Sequence, residues 1–171
     1  MAIITLNNNS LSSVTALPAG VGGKVLQVVQ VIIGDNTGDS STTTVDTWLD
    51  NKDASENILQ ASITPSSSSN KILILVSAFT KYHTGTTGHA GDTKIRILNG
   101  STSIFTNTNG YNMGYAYTGG SIRYGTAWSV NNLHSPNSTS QQTHKVQYKF
   151  VGSQSYYYGT NDTLTLMEIA G

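Results

Sequence analysis

Lys71-Ile-Leu-Ile-Leu-Val-Ser-Ala-Phe79 is the most apolar run of the chain, and it follows the polar stretch Pro65-Ser-Ser-Ser-Ser-Asn70. A short apolar run bounded by turn residues predicts a central strand. The neighbouring segments agree with it. Thr93 to Leu98 alternates, with Ile95 and Ile97 on one face and Lys94 and Arg96 on the other. Asn99-Gly100 resembles a two-residue hairpin turn leading into Ser103-Ile-Phe105. His144 to Val151 alternates again: Val146, Tyr148 and Phe150 against Lys145, Gln147 and Lys149. Ile58–Thr64, Ile122–Val130 and the run Leu164, Leu166, Met167, Ile169 also read as strands.

Towards the N-terminus, Val25, Leu26, Val28, Val29, Val31, Ile32 and Ile33 place apolar residues on both faces of an extended chain. That predicts a strand covered on both sides. Thr42 to Leu49 is a second strand, and Asp50-Asn-Lys-Asp-Ala-Ser-Glu56 is the best helix candidate, with room for one turn at most. Residues 107–120 look irregular and 131–142 look like a polar loop. Short strands at turn-punctuated spacing, without a long helix, predict an all-β fold. The expected architecture is an antiparallel β-sandwich or jelly roll of roughly eight to ten strands. Residues 1–23, with Asn7-Asn-Asn-Ser, Pro18 and Gly22-Gly23, read as an extended arm and linker, and 24–171 as the β-sandwich head domain.

Composition narrows the function. Ser, Thr, Asn and Gly supply 76 of 171 residues, charged residues only 11%, and nine cations balance nine anions. A neutral chain with no basic run predicts no nucleic-acid partner. No apolar stretch reaches the ~18 residues of a spanning helix, so no membrane insertion is expected. The opening Met1-Ala-Ile-Ile-Thr-Leu-Asn lacks the basic start and long apolar core of a signal peptide. The absence of cysteine excludes disulfides, thiolate zinc sites and thiol nucleophiles. Near-zero net charge favours association, and a strand apolar on both faces needs a second covering layer. Subunit packing supplies it, with Val25, Val29, Val31, Leu166 and Glu168 at the expected oligomer interface.

Little in the sequence resembles catalytic machinery. His83 and His89 fit no zinc spacing, and Gly85–Gly91 leads into a strand rather than the helix a phosphate cradle needs. No Gly-x-Ser-x-Gly elbow accompanies the serines. We therefore expect no enzyme activity, no metal and no cofactor. Glu168 shares the face of Leu164 and Leu166, so it is expected at the rim or paired, with Arg96, Arg123 or a lysine of a neighbouring subunit. The tyrosines are more informative. Tyr111, Asn112, Tyr115 and Tyr117, and then Tyr156, Tyr157 and Tyr158, lie among Gly, Ser and Asn, the vocabulary of adaptable binding loops. They suit an uncharged host-surface glycan, or equally a subunit interface.

Four stretches resemble, in order, a module of marine bacteriophage structural and tail-fibre proteins. They are Leu17-Pro-Ala-Gly-Val-Gly-Gly-Lys-Val-Leu-Gln-Val-Val-Gln30, Ile63-Thr-Pro-Ser-Ser-Ser-Ser-Asn-Lys-Ile-Leu-Ile-Leu-Val76, His134-Ser-Pro-Asn-Ser-Thr-Ser140 with Val146-Gln-Tyr148, and Thr163-Leu-Thr-Leu-Met-Glu-Ile-Ala-Gly171. The resemblance implies a phage virion structural protein, made in the host cytoplasm, with a jelly-roll head that is trimeric like heads of the tumour-necrosis-factor type. It brings no catalytic residues. Asp50–Asn57 departs from it as an insertion. A short arm before one head implies a capsid decoration or head-fibre protein, or a small tail knob. Ile3, Ile4, Leu6 and Leu11 are the expected virion anchor, gripping other capsid or tail proteins. The alternative is a carbohydrate-binding receptor-recognition module at the tail tip that serves host attachment.

Overall fold

A computed structural model describes residues 24–34, 46–84, 90–107, 111–115, 122–152 and 161–171. Their alternating stretches form ten strands. These are β1 (Val25–Ile32), β2 (Leu49–Asp50), β3 (Gln60–Ile63), β4 (Lys71–Thr84), β5 (Ala90–Asn99), β6 (Thr102–Thr106), β7 (Tyr111–Tyr115), β8 (Ile122–His134), β9 (Gln142–Gly152) and β10 (Thr163–Ile169). Every pairing is antiparallel. One sheet runs β1-β10-β4-β8 and the other β2-β9-β5-β6, with β3 also on β9 and β7 also on β5.

The two extra strands are halves of broken ones. β2 pairs with Tyr148 and Gln147 of β9, and β3 with Lys145 to Gln142. Between them the chain leaves and returns at one point: Asn51 N–H donates to the Val146 carbonyl at 3.1 Å, and Val146 N–H donates to the Leu59 carbonyl at 3.0 Å. Leu59 N–H closes the excursion on the Asn51 carbonyl at 2.7 Å. β6 and β7 likewise share β5, along Arg96–Asn99 and Ala90–Thr93. Counting each broken strand once leaves eight strand positions, in the orders 1-8-3-6 and 2-7-4-5. That is the double Greek key of a jelly roll.

The core lies between the sheets. Ile72, Ile74, Leu164 and Leu166 of one sheet meet Leu59, Ile63, Ile95, Ile97 and Val146 of the other, all fully buried. Tyr148 and Phe150 form a second cluster with Leu49, their rings edge-on at 5.2 Å. The alternation expected for 93–98 and 144–151 is therefore present, with the basic residues facing outward. β4 is the interior strand expected of the 71–79 run.

Five expectations change. Asn131–His134, expected in a polar loop, continue β8 because β4 extends alongside to pair with them. Residues 50–56 are not helical: the Asp53 carboxylate accepts from the Ser55 and Asn57 N–H groups, both at 2.9 Å, so the side chain takes the donors a helical turn would need. The hairpin turn sits one residue later than predicted, at Gly100-Ser101 between paired Asn99 and Thr102, with Gly100 at φ 58°. That positive φ is the one a glycine supplies without strain. β7 lies where 107–120 looked irregular. β1 is an edge strand with one covered face: Val29 and Val31 pack on the core, while Val28 and Ile32 are 54% and 59% exposed. Of the Thr42–Leu49 strand, only its last residues lie among those described.

Ile74 is fully buried in the middle of β4. Ile74→Ala should therefore lower the unfolding free energy by about 2–5 kcal/mol, read from urea denaturation as a lower midpoint at unchanged slope. A shift below about 1 kcal/mol would show that the inter-sheet packing is not the core of the fold.

Candidate functional site

Three of the stretches quoted above meet at one carboxylate. Glu168 is 1% exposed and points between the sheets with Leu164 and Leu166. Among the described residues no cation faces it. Its Oε1 accepts from Ser66 N–H at 2.6 Å, Ser66 Oγ at 2.7 Å and Asn70 Nδ2 at 2.6 Å. Its Oε2 accepts from Gln27 Nε2 at 2.8 Å. The Asn70 amide oxygen in turn receives the Gly171 N–H at 3.1 Å. A side chain on Gly171 would have no room, because its Cβ would lie 2.0 Å from the Ser69 carbonyl oxygen. Burial alone would raise the Glu168 pKa. The bonds from Asn70, Ser66 and Gln27 outweigh it and hold the group at about 2. The predicted ion pair is thus replaced by neutral donors from the 64–70 loop and β1. Arg96 lies on the other sheet's outer face, and Arg123 pairs in register with His83, well up the β4–β8 ladder.

Beside this knot, two histidines join the sheets. Ile72 of β4 is paired with both Glu168 and His134, so all three lie on one row. His134 Nδ1 lies 3.2 Å from Nε2 of His144 on β9, with the rings edge-on. His144 is fully buried, and among the described residues its Nδ1 has no partner. An unpaired acceptor costs less than an unpaired donor. That favours the tautomer in which His144 Nε2–H donates to His134 Nδ1. Burial, reinforced by repulsion from His134, lowers the His144 pKa to about 4, and burial lowers that of His134. Both rings are neutral at pH 7.

The carboxylates near the 51–59 excursion are also structural. Asp53 Oδ2 accepts from Asn57 Nδ2 at 2.9 Å and Gly34 N–H at 3.2 Å. Its pKa is lowered, first by the Asn57 bond. Asp50 meets Lys145 at 2.9 Å and Gln147 Nε2 at 2.6 Å. Burial there would raise its pKa, but these bonds lower it on balance. Gln147 Oε1 accepts from Arg96 Nε at 2.7 Å, and the Arg96 guanidinium lies 4.5 Å from the Trp48 ring centroid, with Lys149 at 5.4 Å. Trp48 therefore carries cations on its ring. Among the described residues no group of three or more His, Asp or Glu is placed to hold a metal.

The predicted binding residues fall partly among the described ones. Tyr111, Asn112 and Tyr115 lie on β7, in register with Thr93, Asp92 and Ala90 of β5. Tyr117, Tyr156, Tyr157 and Tyr158 lie outside the described residues, as do the anchor residues Ile3, Ile4, Leu6 and Leu11. The topology still relates the two tyrosine stretches. Tyr115 pairs with Ala90, and Gly152 with Gly91, so the connections that carry Tyr117 and Tyr156–Tyr158 leave from the same end of the sandwich. The Glu168 and histidine clusters occupy the opposite end. The predicted interface residues divide. Val25 is exposed, Val29 and Val31 face the core from the edge strand, and Leu166 and Glu168 are buried inside the subunit. A subunit contact through β10 must use its other face, that of Thr165, Met167 and Ile169. His134 and His144 are visible in the sequence as the residues flanking the loop Ser135–Thr143, but periodicity gives no sign that their rings meet across the two sheets.

No family model and no curated protein matches the sequence. Solved structures with which the chain shows similarity include those of infectious bursal disease virus. The Gx strain is 11% identical with a TM-score of 0.43, and the match covers 85% of this chain and 32% of that one. The VP2 subviral particle is 13% identical with a TM-score of 0.40, covering 85% and 38%. This chain thus spans about a third of those chains. The jelly-roll assignment rests on the strand order itself.

Stability should fall with acid in two steps. His144 is depressed from 6.5 to about 4, so the unfolded chain binds the extra proton first. Its contribution is full above pH 6.5, and about 3 kcal/mol is lost as pH drops to 4. Glu168 is depressed from 4.5 to about 2, so its contribution is present above pH 4.5 and lost on the way to 2. Urea midpoints at pH 7, 5 and 3 should decline in that order. Glu168→Ala, which strands the donors of Ser66, Asn70 and Gln27, should cost about 3 kcal/mol at pH 7 and shrink the second step, leaving the part that Asp50 and Asp53 contribute. A midpoint unchanged between pH 7 and 5 would contradict the buried neutral histidine.

Proposed function

We propose that this chain is a bacteriophage virion structural protein, a capsid decoration or head-fibre protein or small knob. Its jelly-roll head projects as a homotrimer, and its N-terminal segment binds capsid or tail proteins. The strand order 1-8-3-6 facing 2-7-4-5 carries this reading, because viral capsid domains use that double Greek key. A non-enzymatic role is supported by how the polar side chains between the sheets are used. Glu168 and His144 hold loops and sheets together around an aliphatic interior. The resemblance of the four stretches to phage proteins adds the kind of particle. The second reading is a carbohydrate-binding receptor module at a tail tip, since lectins share the fold. It is favoured by Tyr111, Asn112 and Tyr115 on β7, at the end from which both tyrosine-bearing connections leave.

The test is incorporation into particles. Phage assembled with an epitope-tagged copy should carry it in the hundreds per virion for decoration, or in a small symmetric set for a tail tip. Removing residues 1–16 should leave the β circular-dichroism spectrum intact and abolish incorporation. Loss of host-cell binding in Tyr115→Ala/Tyr117→Ala particles would favour the second reading. Absence of the intact protein from purified particles would overturn both.

A further inference from the structure

We infer that the outer face of the β1-β10-β4-β8 sheet is a self-association surface and that its occupant is a second copy of this chain. Backbone register lines up one outward row across all four strands: Val28 with Met167, Met167 with Leu73, and Leu73 with Leu133. Its two ends are open, Val28 being 54% and Leu133 53% exposed. Ile169 lies on the adjacent row, and Leu26, 50% exposed, bulges beside it. Beyond these rows the face continues in the rows Gln30, Thr165, Leu75 and Asn131, then Ile32, Thr163, Ser77 and Ser129, so apolar side chains run on among uncharged hydroxyls and amides. A contiguous exposed apolar patch of this kind marks an interaction site rather than ordinary surface.

The outer face of the other sheet differs. It carries Lys94, Arg96, Lys145 and Lys149 with Asp50, as a solvated surface does. On the β1-β10-β4-β8 face, along Lys71–Phe79 and the residues in register with it, Lys71 is the single outward charge. A charged partner would find one lysine to pair with there. A copy of the same nearly neutral face meets little like-charge repulsion, and a two-fold contact, the commonest between identical chains, sets one such patch against itself. Size agrees. Four strands at ~4.8 Å and eight residues at ~3.3 Å give a face of about 500 Å². Two such faces bury about 1,000 Å², the lower bound for a specific interface. The inference rests on the multi-copy head proposed above for its stoichiometry, but a face that joins copies and an arm that joins particles fail in separate experiments.

Light scattering on the full chain at tens of micromolar should give a multiple of 18.2 kDa. Val28→Lys/Leu133→Lys should give the monomer with an unchanged β circular-dichroism spectrum, and Thr106→Lys on the opposite sheet should leave the oligomer intact. Because the chain has no cysteine, Leu133→Cys supplies a single thiol that needs no disruptive charge. Its maleimide labelling should be at least tenfold slower in the oligomer than after dilution to monomer. An oligomer that survives Val28→Lys/Leu133→Lys, or whose Leu133→Cys variant labels at full rate, places the contact elsewhere and overturns the inference. So does a monomer in which the introduced thiol labels freely, with nothing covering the face. A monomer in which that thiol is protected overturns it in favour of a segment of the same chain.

Discussion

β10 is held at both ends by buried carboxylates whose described partners are neutral donors. At its start, Asp162 is fully buried and accepts from Asn51 Nδ2 and Phe79 N–H, each at 2.9 Å, while its carbonyl receives Ile33 N–H at 3.0 Å. Near its end, Glu168 gathers Ser66, Asn70 and Gln27. β10 lies between β1 and β4, so these two groups decide where both neighbours and two loops sit. Burying a charge without satisfying it is prohibitive. The donors must come to the carboxylates, and that requirement fixes β1, β4, the 64–70 loop and the 51–59 excursion together.

This explains how a chain with so few charges specifies one structure. Neutral amides and hydroxyls, abundant in the composition, take the place usually given to lysine and arginine. Four cations, Lys94, Arg96, Lys145 and Lys149, lie on the outer face of the second sheet, where Arg96 and Lys149 cover Trp48 and Lys145 pairs with Asp50. The outcome is a sandwich with one charged face, one face that is nearly uncharged along Lys71–Phe79, one end locked by the Glu168 and histidine clusters, and one end from which the tyrosine-bearing connections leave.

The four stretches singled out in the sequence take on a physical meaning in this light. Gln27 belongs to the first, Ser66 and Asn70 to the second, and Glu168 and Gly171 to the fourth; all meet at one site. His134, from the third, lies on the same row and bridges to His144. These residues are there to close the sandwich. They speak to the fold.

The strands whose side chains alternate were legible from the sequence, because period two is a local property. Ile95 and Ile97, and Val146, Tyr148 and Phe150, face inward as their spacing requires. The all-β class followed from the same periodicity and from the turn residues between the strands. What was not legible depends on pairings far apart in the chain. Whether β1 is covered on one face or two is set by its place at the sheet edge. β7 became a strand because β5 offers it an edge, although Tyr111-Asn-Met-Gly-Tyr115 carries no alternation. Residues 50–56 lost their helical turn to the Asp53 carboxylate. The partner of Glu168 lies 102 residues away in Ser66, and only the closed sandwich brings the two together.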